Sequence, residues 1–86
     1  MKPASPDPQA LALSALGWIL GDSSRADRLL ALTGITPDDL RSGLGNPAIL
    51  GAVLDFLLGN EHDLVDAADA LDVAPQSFAT AREHLS

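Results

Sequence analysis

The 86-residue sequence predicts an all-α fold, in which five to six short helices form a compact orthogonal bundle. Three residues that favour helix N-caps each precede a proline, the residue favoured at the first helical position: Asp7-Pro8, Thr36-Pro37 and Asn46-Pro47. Four glycines follow helical patterns, where a left-handed residue commonly ends a helix: Gly21, Gly34, Gly45 and Gly59. β-Branched residues are too few and too scattered to form strands with period-two alternation.

These signals place six helices along the chain, at residues 8–20, 24–33, 37–44, 47–58, 61–71 and 75–85. Residues 1–6 are polar and proline-rich, so we expect a flexible leader before a single helical domain at residues 7–86. Two apolar pairs flank the starts of the third and sixth helices with the spacing of a hydrophobic staple: Ile35 with Leu40, and Val73 with Phe78. The sixth helix has the weakest predicted start, because Ala74 offers no side-chain acceptor before Pro75.

The two halves of the chain resemble each other. Residues 10–42 align with residues 48–80 without a gap, and the wide apolar arcs of the first and fourth helices place the aligned Trp18 and Phe56 on the core side. In the second and fifth helices, large and small side chains exchange at four aligned positions: Ala26/Leu64, Leu29/Ala67, Leu30/Ala68 and Thr33/Leu71. Such an exchange is expected where two faces share one core. We therefore predict two pseudo-repeated three-helix units about a pseudo-twofold axis.

Charge and composition exclude several classes of protein. Twelve acidic residues against five basic ones give a net charge of −7, so the chain lacks the clustered cations that a nucleic acid or an anionic membrane requires. A helix–turn–helix-like joint at residues 34–37 is the single feature that favours nucleic acid, and we expect no nucleic-acid partner. There is no cysteine, which excludes disulfides, cysteine-ligated metals and thiol nucleophiles. No apolar run is long enough to span a membrane, and we expect a cytoplasmic protein.

His62 and Asp66 are candidate metal ligands, because an i, i+4 pair on a helix can place two ligands on one ion. The spacing supplies no third ligand, so we expect neither a metal nor another cofactor. The favoured interpretation is a solvated polar face of the fifth helix, formed by Asp63, Asp66 and Asp69.

Asp55 lies within the most apolar helix, where a buried, unpaired carboxylate would have a raised pKa and could act in acid–base catalysis. Its helical-wheel position groups it with Ala52 and Gly59, on the arc that faces away from the core. We therefore expect exposure, or pairing with one arginine, and we assign no catalytic residue.

An interaction surface is predicted from two leucines that break the polar pattern. Leu13 falls on the narrow non-core arc of the first helix, and Leu32 falls on the polar side of the second helix, beside Arg25 and Arg28. Adjacent exposed leucines can form a patch that mediates self-association or partner binding. Residues 46–86 carry six of the seven net negative charges, which favours a basic partner or head-to-tail contact with these arginines.

We accordingly expect a small acidic helical protein that acts as a non-enzymatic protein-interaction module, either as a homodimer or with another protein. The alternative is a small metal- or ligand-dependent enzyme or binder that uses His62 and Asp66, or Asp55.

The segments ALALSALGWILGD and LALTGITPDDLRSGLGNPAILGAVLDFLLGNEHDLVDAADALDVAP resemble the short bacterial proteins of the domain of unknown function family 3572. The resemblance rests on the turn at Leu32–Leu40 and on the helix at Ile49–Leu58, which contains VLDFLL. The chain departs from the family at Ala74, where a capping residue is more usual. The resemblance implies a helical, cytoplasmic protein, and it transfers no catalytic residue because the family has no assigned activity.

Overall fold

The computed structural model of the chain describes residues 7–43 and 45–85. Its helices are α1 (Pro8–Leu20), α2 (Ser23–Thr33), α3 (Pro37–Ser42), α4 (Pro47–Leu58), α5 (Glu61–Leu71) and α6 (Gln76–His84). No described residue lies in a strand, and the radius of gyration of 12.0 Å matches the about 12 Å expected for a compact chain of this length. The prediction of a compact all-α fold is confirmed. The leader predicted at residues 1–6 lies outside the described residues.

Side chains cap five of the six helices. The predicted caps at Asp7, Thr36 and Asn46 each accept a hydrogen bond from a backbone N–H of the following helical turn, and Asp22 and Asn60 do the same for α2 and α5. α6 begins at Gln76, one residue later than predicted, with Pro75 instead of Ala74 at its N-cap position, and no side chain caps it. Local hydrogen-bonding chemistry therefore accounts for where α1 to α5 begin, but not for where α6 begins.

Helix pairs α1–α2 and α4–α5 are connected in the same way. The prediction of left-handed residues at helix ends is wrong for Gly21 and Gly59, whose φ values are −72° and −83°. It is wrong for Gly45 as well, because α3 ends at Ser42 and its C-cap residue is Gly43, with a φ of −114°. Gly21 and Gly59 each continue the helical turn and donate their N–H to that turn, and the next residue becomes extended to cap the following helix. The left-handed residues come at the ends of α2 and α5, where φ is 74° at Gly34 and 58° at Asp72.

Helices α1, α4 and α6 pack against one another and supply most of the core. The largest fully buried side chains are Phe78, Ile19, Leu29, Leu50, Leu54, Leu57 and Val53. Leu29 of α2 and Ala67 of α5, which are aligned positions of the predicted repeat, are both fully buried. A large side chain from one helix and a small one from the other therefore lie in the same core cluster at this one of the four aligned pairs.

The third helices of the two units pack differently. α6 packs along both α1 and α4, whereas α3 makes only sparse contact with any other helix. Phe78 of α6 has no exposed surface, and the aligned Leu40 of α3 lies at the edge of the core. The structure thus shows matching connections in the first two helices of each unit, and the equivalence of the complete units stays a prediction.

Gly51 is where α6 crosses close to α4. A Cβ atom at this glycine would lie 3.1 Å from Cζ of Arg82, so the missing side chain leaves room for the arginine. The aligned residue of α1 is Leu13, which is 37% exposed.

Candidate functional site

The two arginines of the predicted interaction surface have partners within the chain. Nη1 of Arg28 donates to Oδ2 of Asp63 over 2.6 Å, and Nη2 donates to Oδ1 over 3.3 Å. This bidentate bond joins α2 to α5, and it raises the pKa of Arg28 above its ordinary value.

Asp63 does not lie on a solvated face with Asp66 and Asp69, contrary to the sequence-based interpretation. It is only 3% exposed, whereas the other two side chains are exposed. The periodicity of α5 alone cannot reveal the cause, because Arg28 arrives from a helix 35 residues earlier in the chain.

Both arginines of α2 also lie over aromatic rings. Cζ of Arg25 is 3.7 Å from the centroid of Trp18, and its Nη2 donates to the Trp18 carbonyl over 2.8 Å. Cζ of Arg28 is 5.7 Å from the centroid of Phe56. These distances are within the range of cation–π attraction. The two side chains are therefore held in place and still present part of their surface to solvent.

His62 and Asp66 form an isolated pair. Nε2 of His62 lies 3.4 Å from Oδ2 of Asp66, and both side chains are largely exposed. Within the described part of the chain, no group of three or more histidine and carboxylate side chains is close enough to hold a metal ion. The structure thus brings together the two ligands that the sequence spacing predicts and adds no third.

Asp55 is half-exposed and paired with an arginine, as its helical-wheel position predicts. Its Oδ1 accepts a hydrogen bond from Nε of Arg82 over 2.9 Å. Asp55 and Gly51 are four residues apart on α4, so the same arginine crosses Gly51 and pairs with Asp55. The carboxylate helps to fix α6 on α4.

Leu32 is the most exposed large apolar side chain among the described residues, at 75%. It lines a groove of about 380 Å³ between α2 and α4. The other groove residues include Thr33 on α2, Ala52, Asp55 and Phe56 on α4, and Asn60 at the start of α5. Sequence reasoning found the exposed leucine but missed the groove, since its two walls come from different helices.

Two further grooves have different chemistry. One, of about 430 Å³, lies among α1, α2 and α3, and leucines line most of it: Leu16, Leu20, Leu30 and Leu40. The other, of about 410 Å³, lies between the start of α1 and α6, and its polar lining includes Asp7, Ser77, Thr80 and His84. Leu13 lines none of the three grooves, so its continuity with Leu32 in one patch stays a prediction.

These features define a small helical protein whose arginines stabilise its own fold and whose exposed leucine borders a groove. The chain matches, over residues 5–86, the family described as Protein of unknown function (DUF3572), and it belongs to that family. The resemblance inferred from the sequence is thereby confirmed. No curated protein and no solved structure matches the chain. Among the described residues, no helix has both the length and the apolar character needed to cross a membrane.

Proposed function

We propose that this protein is a non-enzymatic protein-interaction module whose contact surface contains Leu32, Leu13, Arg25 and Arg28. The observation that carries the proposal is Leu32, which is 75% exposed at the wall of a groove of about 380 Å³. Covering a leucine of this kind contributes about 1.5–3 kcal/mol to association. A groove of this size accommodates a few side chains of a partner.

The arginines beside Leu32 support the same proposal. Arg28 lies four residues before Leu32 on α2, and 43% of its side chain is exposed although it is bonded to Asp63. Its pairing with Asp63 and its position over Phe56 restrict its conformations before any partner binds. A side chain that is already ordered loses less conformational entropy on association.

The proposal is tested with Leu13→Lys and Leu32→Lys, made singly and together, and with Val65→Lys as the matched control. Val65 is also an exposed apolar residue, 49% exposed, but it lies on α5 outside the proposed surface. We expect nearly unchanged melting temperatures, because neither leucine is in the core. Light scattering and affinity capture from a native lysate should show self-association or a captured partner for the wild type and the Val65 variant, and neither for the double variant.

Three results would contradict the proposal. Unfolding of the leucine variants would show that these side chains support the core, and equal loss in the Val65 variant would show that any added charge has the same effect. A wild-type protein that is monomeric and captures nothing would also contradict it. If Leu32→Lys alone reproduces the double variant, the surface is the groove and Leu13 is outside it.

A further inference from the structure

α3 differs from the other helices in how it is attached to the rest of the molecule. Thr36 and Asp39 exchange the two hydrogen bonds of its capping box. Asp38 accepts from the hydroxyl of Ser42 and pairs with Arg41, both within the same helix. Among the described residues, no hydrogen bond or ion pair joins α3 to another helix, whereas arginines join α2 to α1, α2 to α5 and α6 to α4.

The apolar attachment of α3 is small as well. Leu40 is the one buried residue of this helix, and it and Ile35, just before the helix, are each 8% exposed. Leu40 also lines the groove of about 430 Å³ that separates α3 from leucines of α1 and α2. A six-residue helix is too short to persist by itself in water, so α3 depends on these two side chains. The packing of α1, α4 and α6 against one another does not involve it.

Going beyond the proposed interaction function, we propose that α3 is a lid that opens by local unfolding while the rest of the bundle stays folded. Segments with few buried apolar contacts open at a lower free energy than the core of a protein. Opening withdraws Leu40 from the groove and uncovers Leu16 of α1, which is 3% exposed when the lid is closed. The open form thus presents a leucine surface on α1 and α2 that the closed form covers.

The first test uses thiol labelling under native conditions. The chain has no cysteine, so one introduced thiol reports access to one place. Leu16→Cys places the thiol in the groove, and Leu54→Cys is the matched control at the aligned position of α4, which is 0% exposed. Leu32→Cys gives the rate of an exposed thiol. We expect Leu16→Cys to react at least about tenfold faster than Leu54→Cys and at least about tenfold slower than Leu32→Cys.

The second test uses amide hydrogen exchange. The amides of Leu40 and Gly43, which donate to backbone carbonyls within residues 36–39, should exchange faster than the slowest amides of α1 and α4. Phe78→Leu should speed exchange in α1 and α4 about tenfold and change the two α3 amides by less than about twofold. The reason is that the closed and the open forms both contain α6 and lose the same stability. Leu40→Ala, which weakens the closed form alone, should speed exchange in α3 and in the core alike.

Three results would overturn the lid. Equal labelling of Leu16→Cys and Leu54→Cys would show that Leu16 becomes accessible only on global unfolding. Labelling of Leu16→Cys as fast as Leu32→Cys would show that the groove is open without movement of α3. If a cysteine variant does not fold, the exchange experiment decides, and equal acceleration of the α3 and α1 amides by Phe78→Leu would overturn the proposal. No result here depends on a binding partner, so the test of the interaction surface stands or fails separately.

Discussion

Helices α3 and α6 occupy the same place in their respective halves of the chain, but different forces stabilise them. α3 has a capping box, in which Thr36 accepts from the N–H of Asp39 and Asp39 accepts from the N–H of Thr36, and it makes little tertiary contact. α6 has no side-chain cap, yet it packs along α1 and α4 and buries Phe78 completely. Local hydrogen bonds stabilise α3, and burial against α1 and α4 stabilises α6.

This difference has consequences for the surface. Because α6 covers α4, Gly51 and Asp55 of α4 lie against Arg82. α3 makes only sparse contact with the other helices, Leu13 of α1 is exposed, and a leucine-lined groove lies among α1, α2 and α3. Exposed apolar residues are nevertheless present on both halves of the chain, since Val65 of α5 is 49% exposed.

The largest expected effect is on the packing of α6. Replacing Phe78 with alanine should lower the free energy of unfolding by about 3–5 kcal/mol, because it removes a fully buried aromatic ring from the core. Leu40→Ala at the aligned position of α3 should lower it by only about 2 kcal/mol, since that side chain lies at the edge of the core. Urea denaturation followed by circular dichroism measures both. Equal losses would show that α3 supports the fold as much as α6 does.

One ion pair joins two helices, and another lies within α3. Asp63→Ala should destabilise the protein by about 1–3 kcal/mol, because it removes charge-assisted hydrogen bonds from a buried carboxylate that joins α2 to α5. Asp38→Ala removes an exposed pair within α3 and should change stability by less than about 1 kcal/mol. The midpoints of thermal unfolding show which of the two variants is less stable. A larger loss for Asp38→Ala than for Asp63→Ala would contradict the view that contacts within α3 contribute little to stability.

The smallest expected effects concern the two helix starts. Thr36→Ala should lower stability by about 0.5–2 kcal/mol through loss of the capping box, and Ala74→Asp should raise it by a similar amount by adding the acceptor that α6 lacks. Ala74 is exposed, so the new carboxylate stays in water. Urea midpoints measure both variants, and hydrogen exchange of α3 amides reports whether Thr36→Ala acts locally. A lower midpoint for Ala74→Asp would show that residue 74 needs an apolar side chain.

Much of the fold follows from the sequence alone. Asp7, Thr36 and Asn46 each cap a helix as predicted, and the bounds of α1, α4 and α5 agree with the predicted ranges. The prediction succeeds because a cap bonds to an N–H two or three residues along the chain. Hydrogen bonds between residues so close in the sequence can be predicted from the sequence alone.

The candidate site depended on contacts that the order of residues does not show. The exposure of Leu32 follows from the position of this residue on the polar side of α2. The groove beside it forms because Ala52 and Phe56 of α4 lie across from Leu32 in the folded chain. The conformations of Gly21 and Gly59 could not be predicted from the sequence, because glycine is compatible with both a helical and a left-handed conformation at a helix end. The direction in which the chain continues to the next helix selects the helical conformation here.

The order of residues predicts most helix bounds, three of the caps and the acidic composition, because these depend on neighbouring residues and on residue counts. Which helices cover one another and which charges are buried depends on how distant parts of the chain pack together. Asp63 illustrates the reason: its neighbours on α5 mark a solvated face, but Arg28 reaches it from α2 and covers it. A carboxylate can be buried when a cation compensates its lost hydration, and that cation is brought close by folding, across 35 positions of the chain.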